Sequence, residues 1–160
     1  ERLESLGADP IEAMQPFKEP LDSYHAQLVP STWLEGLVKS YIGEGIAADF
    51  YREASKYLDK ETNKLVEKVL SDKGLADFAI ERIRAGCEND SVTAGRLALW
   101  GRRMMGEMIA QAGQVAKTQN SLAELFISNE QNSIAEELTG LVNRLTVGHA
   151  RRMDVLGFAS

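Results

Sequence analysis

Glu44 is the carboxylate in this sequence whose position most strongly suggests chemistry. Its neighbours at helical spacing are Leu37, Tyr41, Ala48 and Tyr51. Helical spacing therefore predicts that Glu44 lies on or beside a buried stripe. The glycine on either side of it would let another helix come near. A buried carboxylate costs several kcal/mol unless it is paired or binds a metal. We expect Glu44 to be mostly buried beside a polar partner, either as a metal ligand or as a boundary glutamate paired with an arginine.

Glu107 and His149 have similar positions on two other predicted helices. Glu107 follows Met104 by three residues, and His149 lies four residues after Leu145 and four before Met153. Carboxylates and an imidazole inside a bundle form the ligand set that suits iron or manganese. The alternative for His149 is a core histidine that is held only by hydrogen bonds.

Three further features have simpler interpretations. Asp22 and His25 give the only acid-x-x-His spacing, but they fall in a predicted loop before Pro30, where local capping explains them. Cys87 lies in a predicted turn; as a single cysteine it excludes an internal disulfide and fits a reducing compartment. The basic run 148–152, together with the Arg pair at 102–103, is either a small anion-binding patch or a solvated helix face.

Composition and missing motifs exclude several classes of function. The chain has 160 residues, 44% hydrophobic and 26% charged, with a net charge of -6. This balance is typical of a globular protein, and the acidic net charge argues against a surface that binds nucleic acid. The sequence contains no phosphate loop, dinucleotide fingerprint, nucleophile elbow or paired-cysteine zinc site. It has no signal peptide and no apolar run near the ~20 residues that span a bilayer, so we expect a cytoplasmic protein.

Periodicity predicts an all-α fold with more than about 65% helix. Residues 1–7 resemble the last turns of a helix closed by Gly7, and Asp9 starts a short helix that Pro16 disturbs, followed by a wrapping connection. No proline follows Pro30. Helical patterns then cover 32–58, 59–85 with a break at Gly74, 90–117 and 134–156, and a short helix is predicted around 122–127. Thr32 and Glu35 have the spacing of a capping box for the first of these helices. Asp59 begins the second, whose inner face is predicted over 65–70. Long helices joined by short turns favour an antiparallel bundle.

Three segments carry a resemblance to a known family. The stretch WLEGLVKSYIGEGIAADFYRE at 33–53 is the strongest, and GRLALWGRR at 95–103 and HARRM at 149–153 support it. They resemble the ferritin-like proteins of actinobacteria that are grouped with the tRNA 2-methylthio-isopentenyladenosine hydroxylases. The similarity runs across nearly the whole chain. It implies that residues 1–160 are a single ferritin-like antiparallel bundle, with two further helices expected before Glu1.

The resemblance also implies two metal ions among helix carboxylates and histidines. Glu44 would then be the carboxylate of the family's third helix, and Asp72 the acid of the fourth, where Leu75 stands in place of the histidine. Glu107 and His149 complete the candidate metal ligands, but Thr146 stands where an acid would precede His149. The departures indicate that these 160 residues alone bind no stoichiometric pair of iron ions.

Two hypotheses of function follow, and whether the protein is an enzyme stays open between them. The first is a relative of the diiron hydroxylases with an altered iron site, whose substrate would by family analogy be a modified base of tRNA. The second is a metal-free helical module that associates with itself, as a dimer or other homo-oligomer, or with another protein.

Overall fold

Helices account for nearly all of the described chain. The computed structural model describes residues 2–71, 74–118 and 134–158. The helices in these ranges are α1 (Arg2–Ser5), α2 (Pro10–Gln27), α3 (Trp33–Ser55), α4 (Lys60–Val69), α5 (Gly74–Cys87), α6 (Ser91–Thr118) and α7 (Ile134–Leu156). About 85% of the residues that the structure describes are helical, which confirms the all-α class. The short helix predicted around 122–127 lies outside the described residues.

Helix α2 is longer than the sequence predicted. Asp9 caps it, accepting hydrogen bonds from two backbone N–H groups of the first turn, and the helix then continues through Pro16 and Pro20. The connection predicted after Pro16 is therefore wrong. The carbonyl groups that the two prolines leave unbonded belong to exposed residues, where water can bond to them. The buried side chains of Tyr24 and Leu28 hold the helix in place, and α2 packs on α6.

Helix α3 begins with the predicted capping box. The hydroxyl of Thr32 accepts a hydrogen bond from the N–H of Glu35 at 3.2 Å. The carboxylate of Glu35 in turn accepts one from the N–H of Ser31 at 2.6 Å. This reciprocal pair satisfies two backbone donors at the start of the helix. The helix ends at Ser55, three residues before the predicted end at Leu58.

The segment predicted at 59–85 forms two helices. Asp59 caps α4 as expected, but α4 has no buried residue, so the inward face predicted over 65–70 is wrong. The physical reason is that α5, α6 and α7 already pack on α3, and α4 touches α3 from outside that set. The break predicted at Gly74 is confirmed, since α5 begins there.

Helix α3 runs antiparallel to α7 and α5. Arg144 of α7 pairs with Glu53 of α3, and Arg152, later in α7, bonds to Gly45, earlier in α3. The two helices therefore run in opposite directions. Near the end of α5, Gly86 lies against the start of α3. These pairs confirm antiparallel neighbours around α3.

Helix α6 runs parallel to α3. The indole Nε1 of Trp100 donates to the carbonyl oxygen of Glu35 at 3.2 Å, and further along both helices in the same direction Met104 lies beside Gly43. With α5 and α7 antiparallel to α3, helices α3, α5, α6 and α7 form an up-down-up-down bundle. Its core is a cluster of aliphatic and methionine side chains that includes Val38, Ile42, Ile46, Ala79, Ile83, Leu97, Met104, Leu141, Leu145, Met153 and Leu156.

Candidate functional site

Glu44 is exposed, so the prediction that it is mostly buried is wrong. Its carboxylate accepts a hydrogen bond from the hydroxyl of Ser40, one turn earlier on the same helix, at 2.7 Å. The inward positions of α3 are Val38, Ile42 and Ile46. Glu44 follows Ile42 by two residues, which places it on the opposite side of the helix. The aliphatic side chains spaced four residues apart were the signal for the correct phase.

Glu107 is half-buried and pairs with Arg103 where α6 packs on α2. Its carboxylate lies 3.8 Å from Nε of Arg103, one turn earlier. Burial raises the pKa of the Tyr24 phenol, and the nearby Glu107 carboxylate raises it further. The interpretation that we allowed for Glu44, a boundary glutamate paired with an arginine, therefore describes Glu107.

His149 is buried in the bundle, as its place in the apolar stripe predicted. Its ring nitrogen Nδ1 has no hydrogen-bond partner among the described residues. Burial lowers the pKa of the imidazole, and the positive charges of Arg152 and Arg102 lower it further. The neutral ring is therefore favoured, and two cationic neighbours oppose the approach of a metal cation.

The structure does not gather the predicted metal ligands that it describes into one cluster. Among the described residues, no three His, Cys, Asp or Glu side chains lie together in a way that could hold a metal ion. Glu44 bonds to a serine in solvent, Glu107 pairs with an arginine, and His149 lies beside two arginines. Asp72, the fourth predicted ligand, lies outside the described residues.

The acid-x-x-His pair lies on the exposed side of α2 and not in a loop. Asp22 accepts a hydrogen bond from Nζ of Lys18 at 2.6 Å, as an ion pair one turn apart. His25 packs edge-on against Tyr24, with ring centroids 5.5 Å apart. The capping role predicted for the pair is wrong, because both side chains lie within the helix.

A partly buried arginine, Arg152, joins α3 and α7. Nη2 of Arg152 donates to the carbonyl oxygen of Gly45 at 2.6 Å and to the carboxylate of Asp49. A Cβ atom at Gly45 would overlap the arginine, and one at Gly148 would overlap the Asp49 carboxylate. The two glycines therefore make the room that this ion pair needs between the helices.

Burial and charge act in opposite directions on this arginine. Only 13% of the side chain of Arg152 is exposed. Burial lowers the pKa of the guanidinium, whereas the adjacent Asp49 carboxylate raises it. The group stays charged, because an arginine pKa lies far above neutral pH. This partly buried salt bridge depends on both partners, because removing either one would leave the other charge uncompensated.

Sequence reasoning missed this pair, although a signal was present. Gly45 precedes Asp49 by four residues on α3, and Gly148 precedes Arg152 by four on α7. Each helix thus carries a glycine one turn before a charge, and the two charges have opposite sign. We had expected the glycines beside Glu44 to admit a neighbouring helix. That expectation is confirmed, because a Cβ at Gly43 would contact Met104 of α6.

A groove of 620 Å³ runs over this pair between α3 and α7. It is lined by four arginines and two carboxylates, together with uncharged residues of α7. The charged residues are Arg52, Arg144, Arg151, Arg152, Asp49 and Glu53. The groove therefore has a net positive charge on a chain whose total is -6.

The basic run predicted at 148–152 contributes to this groove, but the arginines at 102–103 do not line it. Arg102 donates to the carbonyl oxygen of Phe158 at 3.4 Å. Arg103 donates to the carbonyl oxygen of Gln27 at 3.0 Å and lies over the Trp100 ring. These two side chains therefore serve the contacts of α6 with the C-terminal residues and with α2.

The outer face of α6 is an unusual surface. Val92, Leu99, Gly106 and Gly113 are spaced seven residues apart, so they lie along one line of the helix. Val92 is 79% exposed and Leu99 is 66% exposed. Nothing among the described residues lies within 4 Å of a Cβ built at Gly106 or Gly113. We call this line the α6 face.

These observations agree with the comparison to known families. The family model of the ferritin-like domain of actinomycetes matches residues 1–129. The chain therefore belongs to this ferritin-like family. No curated protein matches the sequence. Within the described ranges, no helix is both long and apolar enough to cross a membrane.

Proposed function

We propose that this chain is a ferritin-like bundle that acts as a self-association module and not as a diiron hydroxylase. The observation that carries the proposal is the α6 face, where two exposed apolar side chains, Val92 and Leu99, are followed along one line by Gly106 and Gly113, which no described residue covers. The positions of Glu44, Glu107 and His149 support the second part of the proposal, that the chain is not a diiron hydroxylase. Each of the three has a local environment that serves the fold and disfavours a shared metal ion.

The α6 face is complementary to a second copy of itself. Two α6 helices that cross in antiparallel directions at Gly106 would place Leu99 of one copy opposite Gly113 of the other. The equal seven-residue spacing on either side of Gly106 produces this match twice. A two-fold axis repeats every favourable contact, which is why symmetric dimers are common. Glycines at the crossing let the backbones approach closely, and each leucine then fills the space above a glycine.

The proposal is tested by measuring molar mass with light scattering over a range of concentrations, for the natural chain and for Gly106→Leu. We expect a dimer for the natural chain and a monomer for the variant. The free space at Gly106 accommodates a leucine in the monomer, and replacing glycine inside a helix favours the helix by about 1 kcal/mol. The variant monomer should therefore be more stable while the dimer is lost.

Gly36→Leu is the matched control, because Gly36 is also a helical glycine with open space around its Cβ position, but it lies on α3. It should leave the dimer intact. A natural chain that is monomeric at every concentration, or a Gly106→Leu variant that remains dimeric, contradicts the proposed interface.

The hydroxylase hypothesis has a direct test of its own. The resemblance implies iron, and a modified tRNA base as substrate, whereas the altered ligand positions indicate that no pair of iron ions is held. Anaerobic titration with ferrous iron, followed by counting the metal retained after gel filtration, separates the two. We expect less than a stoichiometric pair, and two tightly held ions per chain would restore the hydroxylase hypothesis.

A further inference from the structure

The groove between α3 and α7 holds more positive charge than its own carboxylates neutralise. Asp49 is shared between two arginines, since one oxygen accepts from Nη1 of Arg52 at 3.3 Å and the other from Arg152. Glu53 is likewise shared, between Nζ of Lys56 and Nε of Arg144 at 2.8 Å. These two carboxylates therefore pair with four cations, of which Arg52 also lies 4.0 Å from the carboxylate of Glu67 on α4, a residue that does not line the groove.

Two guanidinium groups at the groove have donors to spare. Arg151, whose side chain is exposed at the rim, makes no ion pair or hydrogen bond with the described residues. Nη1 of Arg152 is buried beside Gly148 and also has no partner among them. Unsatisfied donors at a buried position are costly. An added anion at the groove would offset the excess positive charge of both groups and would supply the acceptors that the exposed Arg151 lacks.

The walls of the groove limit what kind of anion fits. They are the sides of two helices, whose backbone N–H and C=O groups are bonded within each helix. A peptide backbone would find no main-chain partners there. Phosphate oxygens, in contrast, accept hydrogen bonds from the planar guanidinium fork, often two at a time. A chain of phosphates also places several negative charges within a short length, which matches several arginines along one groove.

We propose that the groove between α3 and α7 binds a small ligand through a phosphate chain, such as an inorganic polyphosphate or a nucleoside polyphosphate. Arg151 and Arg144 would contact the phosphates from α7, and Arg52 from α3. Arg152 would stay in its pair with Asp49 and contribute positive charge from below. This site is separate from the α6 face and goes beyond the function proposed above.

Isothermal titration calorimetry at low salt tests the site with two probes, tripolyphosphate and adenosine triphosphate, without divalent cations. Both should bind the natural chain, and Arg151→Gln should weaken binding about tenfold, as the loss of a hydrogen bond to a charged group does. The matched control is Arg82→Gln, an exposed arginine on α5 that lies over Phe78 and does not line the groove. It should leave the affinity unchanged.

Asp49→Asn provides a variant with the opposite expectation. It removes the carboxylate that competes for Arg52 and Arg152, so tripolyphosphate should bind several-fold more tightly, provided that circular dichroism shows an intact helical fold. Equal affinity for the two probes means that the phosphate chain alone is recognised. Tighter binding of adenosine triphosphate means that the nucleoside is recognised as well. Either result supports the site.

Three results would overturn this proposal. These are the absence of binding of both probes at millimolar concentration, equal losses for Arg151→Gln and Arg82→Gln, and binding of an RNA oligonucleotide without any binding of tripolyphosphate. Gly106→Leu distinguishes this proposal from the dimer, because it should abolish self-association and leave the affinity for tripolyphosphate unchanged.

Discussion

Helix α3 meets two of its neighbours through contacts of opposite chemistry. Its contact with α6, which we call the apolar seam, sets Ile42 against Gly101 and Gly43 against Met104. Its contact with α7, which we call the charged seam, consists of the pairs of Asp49 and Glu53 with arginines, described above. Both seams use glycines to bring the helices close. The comparison shows that the same local device can make room for a methionine or for an ion pair.

The two seams should differ in what stabilises them. The apolar seam depends on filled volume and on area removed from water, neither of which depends on salt or pH. The charged seam depends on partners that remain together, since a buried charge without its partner is strongly unfavourable. Substitutions on each side can therefore separate the contributions of volume and of charge to the same bundle.

The largest effect is expected at the apolar seam. Ile42 is fully buried, so Ile42→Ala should lower the free energy of unfolding by about 2–4 kcal/mol, through lost burial and the cavity that remains. Urea unfolding followed by circular dichroism measures this loss. Ile11→Ala is the matched control, because Ile11 on α2 is 73% exposed, and surface substitutions usually change stability by less than about 0.5 kcal/mol. A loss below about 1 kcal/mol for Ile42→Ala would contradict the importance of this seam.

A smaller effect is expected at the charged seam. Arg152→Ala leaves Asp49 and the carbonyl of Gly45 without their donor, and we expect a loss of about 2 kcal/mol. Combining it with Asp49→Ala in a double-mutant cycle should give a coupling of about 1 kcal/mol between the two side chains. In 1 M sodium chloride the coupling should shrink, whereas the effect of Ile42→Ala should not. Additive single effects at low salt would mean that the pair contributes packing and no charge interaction.

The bundle was predictable from sequence because its signals are local. The caps at Thr32 and Asp59, the helix start at Gly74 and the interval covered by α7 all follow from residue types at fixed spacing. The continuation of α2 through Pro16 was not predictable in this way. Whether a helix tolerates a proline depends on whether water can reach the unbonded carbonyl and on packing elsewhere along the helix.

The candidate site was less predictable, for two physical reasons. The predicted helical phase at Glu44 is wrong. That prediction places the aromatic residues Tyr41 and Tyr51 on the inward side of α3, whereas Tyr51 is exposed. The pair of Asp49 and Arg152 joins residues about a hundred positions apart, so periodicity within one helix cannot reveal it. The sequence indicates this contact only through Gly45 and Gly148, each one turn before its charged residue. The sequence alone does not show that the two glycines face each other.

The last prediction concerns His149, which lies on α7 close to Arg152 of the charged seam. It comes one turn before Met153, whose side chain packs against Gly101 of the apolar seam. Its folded pKa is below the ordinary value of 6.5, first because of burial and then because of Arg152 and Arg102. Between the two pKa values the unfolded chain binds more protons, so stability should be complete above about pH 6.5 and fall as pH drops below it. Urea midpoints at pH 7.5, 6.5 and 5.5 should show this slope, and His149→Gln should flatten it. His25→Gln, on the exposed side of α2, should retain it. Because burial is the main cause, most of the slope should persist in 1 M sodium chloride; a slope abolished by salt would mean that the arginines, and therefore the charged seam, control this histidine.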